Sequence, residues 1–259
     1  MSPRLVFDTS APPLKWLRKL SSGKSELSEK YCLAEGWKCI EEAWAWGKPH
    51  LITFTKKTQA EIEAKAWADR CPVLELGIKE FEELCSTQNP EGVLGVFDRP
   101  RLGFQAPPAL PGEVHLGLFQ WRDPSNIGAA VRSARGLGAA SVTLLGTGPD
   151  FFSAKVIRCS MGSVFHIPLF HLDADLALLA DFQIAMAAAG GESSRSFKGD
   201  GRPIFLLIGS ESHGLPKDYL QKACVIGIPL ARQLESLSAP IASALLLDHL
   251  LFPRQIAKN

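Results

Sequence analysis

Apolar residues recur along the chain in two alternating rhythms. Short runs that are apolar at every second position, or throughout, mark strands; runs with apolar residues three and four apart mark helices. In the first hundred residues the strand pattern falls at 31–34, 51–55, 72–76 and 92–97, and the helical pattern at 14–20, 37–46, 58–68 and 78–85. Both rhythms stop over residues 103–113, which hold three prolines and two glycines and have the composition of a linker. Beyond it, strands are expected at 114–119, 142–145, 163–167, 183–187, 204–208 and 225–228, with helices between them and one closing the chain. This alternation predicts an α/β protein: a smaller N-terminal α/β domain over 1–103, a linker over 104–113, and a larger domain over 114–259 whose mostly parallel sheet is flanked by helices.

Composition adds boundaries rather than detail. The 259 residues are 46% hydrophobic and 21% charged, enough apolar material for a substantial core. A net charge of +1 gives the whole chain no attraction for nucleic acid, so an RNA site must be a local basic patch. Lys15, Arg18, Lys19, Lys24 and Lys30 outnumber Glu26 and Glu29 in the first segment and are the candidates, a solvated helix face being the plain alternative. Trp37, Trp44 and Trp46 have the chemistry to stack bases, but core packing is the role expected of them. Met1 to Arg4 lack the layout of a signal peptide, and the most apolar segment, 241–252, is short and broken by Asp248 and His249. A cytoplasmic protein with no membrane span is expected.

Several familiar chemistries are excluded. The six cysteines, Cys32, Cys39, Cys71, Cys85, Cys159 and Cys224, form no C-x-x-C pair and read as small buried hydrophobes, and the histidines are scattered, so no metal is expected. Gly23-Lys24-Ser25 lacks the earlier glycine of a phosphate loop, since position 18 is Arg. Gly146-Thr147-Gly148 starts a dinucleotide fingerprint, but Phe151 occupies the place of its third glycine.

Three motifs remain. Asp123-Pro124-Ser125-Asn126-Ile127-Gly128 follows the run 114–119 and opens a small-residue helix that also carries Arg132. Asp123 or Ser125 can cap that helix and Pro124 suits its first turn. Arg132 stands among Ala129, Ala130, Val131, Ala134 and Leu137, and a cation in so apolar a helix is expected to need a carboxylate, phosphate or substrate partner. In the second motif the run 204–208 ends at Gly209 and leads through Glu211 to Gly214, a loop at the carboxyl end of a strand, where parallel sheets bind ligands. In the third, Ile228-Pro229 ends a strand, and Ser236, Leu237 and Ser238 precede a helix over 241–252 that is apolar almost all round, as expected at a subunit interface.

In this order and at these spacings, Asn126-x-Gly128-x-x-x-Arg132, Gly209-Ser-Glu211-x-x-Gly214 and Ile228-Pro229 with Ser236-Leu237 resemble the SpoU/TrmH family of RNA ribose 2′-O-methyltransferases, within the SPOUT superfamily. Residues 153–168 resemble the family's middle segment, and residues 31–43 resemble, more weakly, an N-terminal RNA-binding domain of many members that is similar to small ribosomal proteins. The resemblance implies a trefoil-knotted C-terminal fold, a homodimer, and S-adenosylmethionine as cofactor. It implies cofactor binding by Leu207, Gly209, Glu211, Gly214, Ile228, Pro229, Ser236, Leu237 and Ala242. Arg132 would be catalytic, assisted by Asn126, Glu211 and Ser238, and Arg158 would join the RNA contacts. A guanidinium is a poor general base, so the role expected of Arg132 is to grip phosphate and stabilise a developing alkoxide. The implied substrate is a ribose in structured RNA, ribosomal RNA being favoured by the N-terminal domain. Ser238 stands where the family usually has Asn, and Ser212 where it usually has Gly. A catalytically impaired RNA-binding member and a transfer RNA methyltransferase are the alternatives.

Overall fold

The structure, a computed structural model, describes residues 13–210, 214–221, 223–231 and 236–256. Its helices are α1 (Pro13–Ser21), α2 (Leu27–Lys30), α3 (Trp37–Trp46), α4 (Gln59–Ala64), α5 (Ile78–Glu82), α6 (Pro124–Leu137), α7 (Ala154–Cys159), α8 (Lys217–Leu220) and α9 (Ala239–Ile256). Its strands are β1 (Tyr31–Glu35), β2 (Leu51–Phe54), β3 (Val73–Glu75), β4 (Val93–Asp98), β5 (Val114–Phe119), β6 (Ser141–Leu145), β7 (Leu169–Leu172), β8 (Gln183–Ser193), β9 (Ile204–Gly209) and β10 (Cys224–Gly227). They form two compact units: Met1–Pro100 with Asp150–Phe165, and Arg101–Pro149 with His166–Asn259.

In the first unit the strands run in the order β1-β4-β2-β3, with β1 and β2 antiparallel to β4 and β3 parallel to β2. Helix α1 explains its own placement. Trp16, Leu17 and Leu20 are buried against Leu33, Leu51, Phe81 and Leu94, while Lys15, Arg18 and Lys19 face solvent.

The segment 150–165 lies far along the chain yet belongs to this unit. Asp150 accepts hydrogen bonds from Arg99, Cys39 Sγ donates to the carbonyl of Ile157, and the Phe165 ring lies 6.2 Å from Phe97 and 5.8 Å from Trp46. This packing also replaces the strand expected at 163–167. Met161 and Gly162 both have left-handed backbone, with φ of 50° and 76°, and turn the chain into a short 3-10 turn, Ser163–Phe165. The apolar pattern there records burial in this unit, and the next strand begins only at Leu169.

The second unit is a six-stranded sheet, β10-β8-β9-β5-β6-β7, in which every neighbouring pair is parallel. Its central strands β5 and β9 are buried along their whole length, as expected of a sheet covered on both faces. Gly117 leaves room for the Phe205 ring on the neighbouring strand: a Cβ there would come 2.3 Å from it. Phe119, Leu145, Leu172, Leu179, Phe182, Met186, Phe205 and Leu207 form one core cluster, each such side chain contributing roughly 1.5–3 kcal/mol on burial. Helices α6 and α9 pack on each other, and α9 also packs on β5 and β9.

Candidate active site

The carboxyl ends of β10, β8, β9 and β5 lie side by side, and the loops leaving them build the candidate site. Phe119, the last residue of β5, pairs with Gly209, the last of β9. The next residue, Gln120, takes a left-handed conformation with φ of 52°, unusual for a side chain that is not Gly, Asn or Asp. It turns buried Trp121 across the end of β9, where Nε1 donates to the carbonyls of Ile208 at 3.0 Å and Gly209 at 3.1 Å. Asp123 then caps α6, its carboxylate accepting from the Ser125 amide at 2.8 Å, with Pro124 in the first turn. The first two motifs are thereby joined.

Asn126 lies half-buried in the first turn of α6. Arg132 departs from expectation. Ile127, Gly128, Ala130, Val131 and Ala134 form the buried stripe, and Arg132 is exposed, so it needs no internal counter-charge. At 3.6 residues per turn it lies above Ser125, just outside the edge of the buried stripe that Gly128 marks, and roughly 120° round the helix from Asn126.

Beyond β9 the chain doubles back. The Gly214 amide donates to the Ser210 carbonyl at 2.8 Å, and Gly214 has φ of 61°. Gly209 is fixed by this close return: a Cβ there would lie 2.2 Å from the Gly214 carbonyl carbon. Glu211 and Ser212 lie outside the described residues. Leu207, an expected cofactor contact, is fully buried in the core cluster and supports the strand.

A further component of the rim had no signal in the three motifs. Val225 of β10 pairs with Met186 of β8, but its neighbour Ile226 pairs with Glu192, so residues 187–191 bulge relative to β10 while Ala187 stays paired with Ile208 of β9. The bulge lies tightly against β10: a Cβ on Gly191 would come 2.7 Å from the Ile226 carbonyl carbon, and one on Gly227 would come 2.9 Å from the Ala188 carbonyl oxygen. Its signal is the small-residue run Ala187-Ala188-Ala189-Gly190-Gly191 at a strand end. Ile228, half-buried, and Pro229, exposed, continue from β10. Ser236 and Ser238 are exposed, Leu237 and Ala242 half-buried, and the Ser238 carbonyl accepts from the Ala242 amide at 2.9 Å at the start of α9.

The basic residues belong to the first unit. Lys15, Lys19, Lys24 and Lys30 are exposed. Arg18 is exposed but paired, with Nη2 2.6 Å from Glu83 Oε2. Arg158 serves the interior of its unit: Nη1 donates to Ser86 Oγ at 2.6 Å and lies 3.3 Å from Oε2 of buried Glu35. Oε2 of Glu35 also accepts from the amide and the hydroxyl of Ser86. Among the described residues no cluster of His, Cys, Asp and Glu is arranged to hold a metal, and no helix is long and apolar enough to cross a membrane. Burial pushes the Cys39 and Cys85 thiols up to about 12, far from a reactive thiolate.

Among the described residues the rim offers backbone amides and carbonyls of glycine-rich turns beside Ile228, Pro229 and Leu237. Gly190 and Gly214 have left-handed backbone, and the space a Cβ would fill at each is open. Such a cradle suits a flat, uncharged heterocycle and its ribose, as S-adenosylmethionine carries.

Comparison with known proteins agrees. The MRM3-like substrate binding domain matches residues 11–95. A 23S rRNA (guanosine(2553)-2′-O)-methyltransferase of Bacillus subtilis is 26% identical over 250 residues, covering 90% of this chain and 93% of that one. The crystal structure of an AdoMet-bound rRNA methyltransferase from Sinorhizobium meliloti has a TM-score of 0.78 at 28% identity, over 95% of this chain and 96% of that one. The crystal structure of an RNA 2′-O ribose methyltransferase has a TM-score of 0.82 at 25% identity, over 95% and 98%. The SpoU rRNA Methylase family matches residues 113–248, a stretch that takes in β5, the turn of Trp121, the return after β9 and most of α9: the chain belongs to that family.

Proposed function

We propose that this protein is an S-adenosylmethionine-dependent methyltransferase that modifies a ribose 2′-hydroxyl in ribosomal RNA. The observation that carries the reading is the junction made by Trp121, which ties the loop before Asn126 and Arg132 to the glycine-bounded return after β9. Gly209, Gly214, Ile228, Pro229, Ser236 and Leu237, with Glu211 and Ala242, would hold the cofactor, and the bulge at 187–191 adds to its cradle. When bound, S-adenosylmethionine supplies an electrophilic methyl group.

The chain's own residues supply position and charge. Arg132, exposed on α6, reaches outward to engage an RNA phosphate with its bidentate fork and to favour the alkoxide form of the attacking hydroxyl. Asn126, on another face of α6, and Ser238 would offer hydrogen bonds to the bound substrate or cofactor. Holding the reacting groups in register is worth up to about 7–11 kcal/mol in favourable systems, so positioning can carry most of the catalysis.

The proposal includes the trefoil threading implied by the family resemblance, a cytoplasmic location, no metal requirement, and a homodimer. The dimer is favoured by α9, where Ile241, Leu245 and Phe252 are 54%, 38% and 55% exposed along one stripe that also carries exposed Asp248. Lys15, Lys19, Lys24 and Lys30 are the candidate phosphate contacts.

The test is to map ribose methylation in RNA from cells with and without the gene, alongside methyl transfer by purified protein to ribosomal and transfer RNA. Loss of one ribosomal site, restored in vitro, is the expected result. Transfer only to transfer RNA would change the substrate. Cofactor binding without transfer to any RNA would favour an impaired RNA-binding protein, the reading that Ser238 suggests.

A further inference from the structure

Three tryptophans of the first unit form a layered cluster. Trp67 is the buried floor, 4% exposed, and Trp37 and Trp44 flank it with ring centroids 5.4 and 5.1 Å away. Trp37 and Trp44, two turns apart on one stripe of α3, are half-buried and keep part of their surface open to solvent. Only Trp67 of the three indoles is fully enclosed.

Cations cover the outer side. Left-handed Ala66, with φ of 49°, turns the chain after α4 so that residues 65–70 lie over α3. Lys65 Nζ sits 5.7 Å from the Trp37 ring and 5.6 Å from Trp67, held by Glu41 at 2.7 Å. The Arg70 guanidinium carbon is 4.7 Å from the Trp44 ring. Arg70 is exposed, and among the described residues its guanidinium has no hydrogen-bonded or ion-paired partner. Lys48 is also exposed, and it and Arg70 both lie close enough to Cys71 for their charges to oppose the upward shift that burial gives its thiol. The acidic side chains of this region are already engaged, Glu41 by Lys65, Glu42 by Lys38 and Glu91 by the Trp37 amide at 2.9 Å, apart from exposed Asp69.

A half-buried indole with an open edge, beneath a planar cation with unused donors, suits an unpaired nucleobase and its phosphate. The base stacks on the ring or the guanidinium, and the free N–H groups take phosphate oxygens. A neutral apolar partner would leave the Arg70 donors unpaired; a duplex would hide its base faces. We propose that Trp44 with Arg70, and Trp37 with Lys65, form a stacking platform for an unpaired base of the substrate RNA, with Lys48 and Arg70 on the adjacent phosphate. This deepens, and rests on, the reading of the chain as an RNA methyltransferase.

The full-length protein is titrated with a fluorescently labelled single-stranded ribo-oligonucleotide and with the same strand in a duplex, and KM and kcat are measured for methyl transfer to ribosomal RNA. Wild type should prefer the single strand, which should quench its tryptophan fluorescence. Arg70→Gln and Trp44→Leu should each weaken single-strand binding about tenfold and raise KM with kcat little changed, whereas Trp44→Phe, which keeps a π face, should lose less. Lys79→Gln, a charge removed from the exposed side of α5, should change neither. Single-strand binding by Arg70→Gln and Trp44→Leu within twofold of wild type overturns the platform, even where wild type methylates RNA normally. If wild type transfers no methyl group but the variants still lose single-strand binding, the platform stands and the enzymatic reading falls. Arg70 is exposed, so its variant decides the matter should Trp44→Leu fail to fold.

Discussion

Gly209→Ala is the sharpest test of the site, because the added methyl group meets backbone rather than a side chain that can rotate away. The new Cβ would lie 2.2 Å from the Gly214 carbonyl carbon, 2.4 Å from its oxygen and 2.6 Å from the Leu215 nitrogen. Ordinary contacts between such atoms are about 3.5–4.0 Å, so the returning segment must move by roughly 1 Å or more. Overpacking of this kind costs about 1–3 kcal/mol, and losing the bond from the Gly214 amide to the Ser210 carbonyl adds about 1 kcal/mol. At roughly 2–4 °C per kcal/mol for a domain this size, the melting temperature should fall by about 4–16 °C. If the return is part of the cofactor cradle, affinity for S-adenosylmethionine should fall at least about tenfold, equivalent to about 1.4 kcal/mol. Calorimetric titration with the cofactor and a thermal melt measure both. A variant that binds the cofactor within twofold of wild type and melts within about 1 °C of it would refute the argument that this close return shapes the site.

Arg132→Lys keeps the charge but loses the planar fork; kcat for methyl transfer should fall about 10- to 100-fold, and full activity would remove Arg132 from catalysis. Glu35→Ala deprives Arg158 and both donors of Ser86 of their shared acceptor, and urea unfolding should show a loss of about 2–3 kcal/mol. If Arg158→Ala instead leaves stability untouched and weakens RNA binding, Arg158 returns to the RNA contacts. Burial lowers the imidazole of His115 below its ordinary value of 6.5, with Glu113 opposing the shift. The folded chain thus keeps His115 neutral while the unfolded chain takes up a proton near pH 6.5. Stability should fall as pH drops below 6.5 toward the lowered folded value, by at most about 1.4 kcal/mol per pH unit, and His115→Asn should flatten that slope in urea titrations.

Where local pattern and tertiary packing agree, the elements were legible in advance. Val114–Phe119 and Trp37–Trp46 begin and end where the apolar periodicity says. The strand expected at 163–167 misled because burial alone produces an apolar run, and left-handed Met161 gives no compositional warning. Arg132 misled in another way: judged by its sequence neighbours it looked enclosed, but the small residues around it face one side of α6 and leave it outside. The glycines of the site were readable as a motif. The bulge at 187–191 was not, since alanine and glycine carry no side-chain chemistry and a register shift exists only between two strands. The roles of Trp121 and Arg158 depend on partners 87 and 123 positions away, which no local window contains.

The membership of Asp150–Phe165 in the first unit has a consequence for how the protein is made. Ala154 packs on that unit's main core cluster and Phe165 lies against Phe97, so the unit stays unfinished after its last strand has left the ribosome. At about 5–20 residues per second, the 65 positions from Pro100 to Phe165 take about 3–13 s to translate, an interval in which part of that interior stays open to water and to chaperones. A gene shortened at the proline-rich stretch would make that interval permanent.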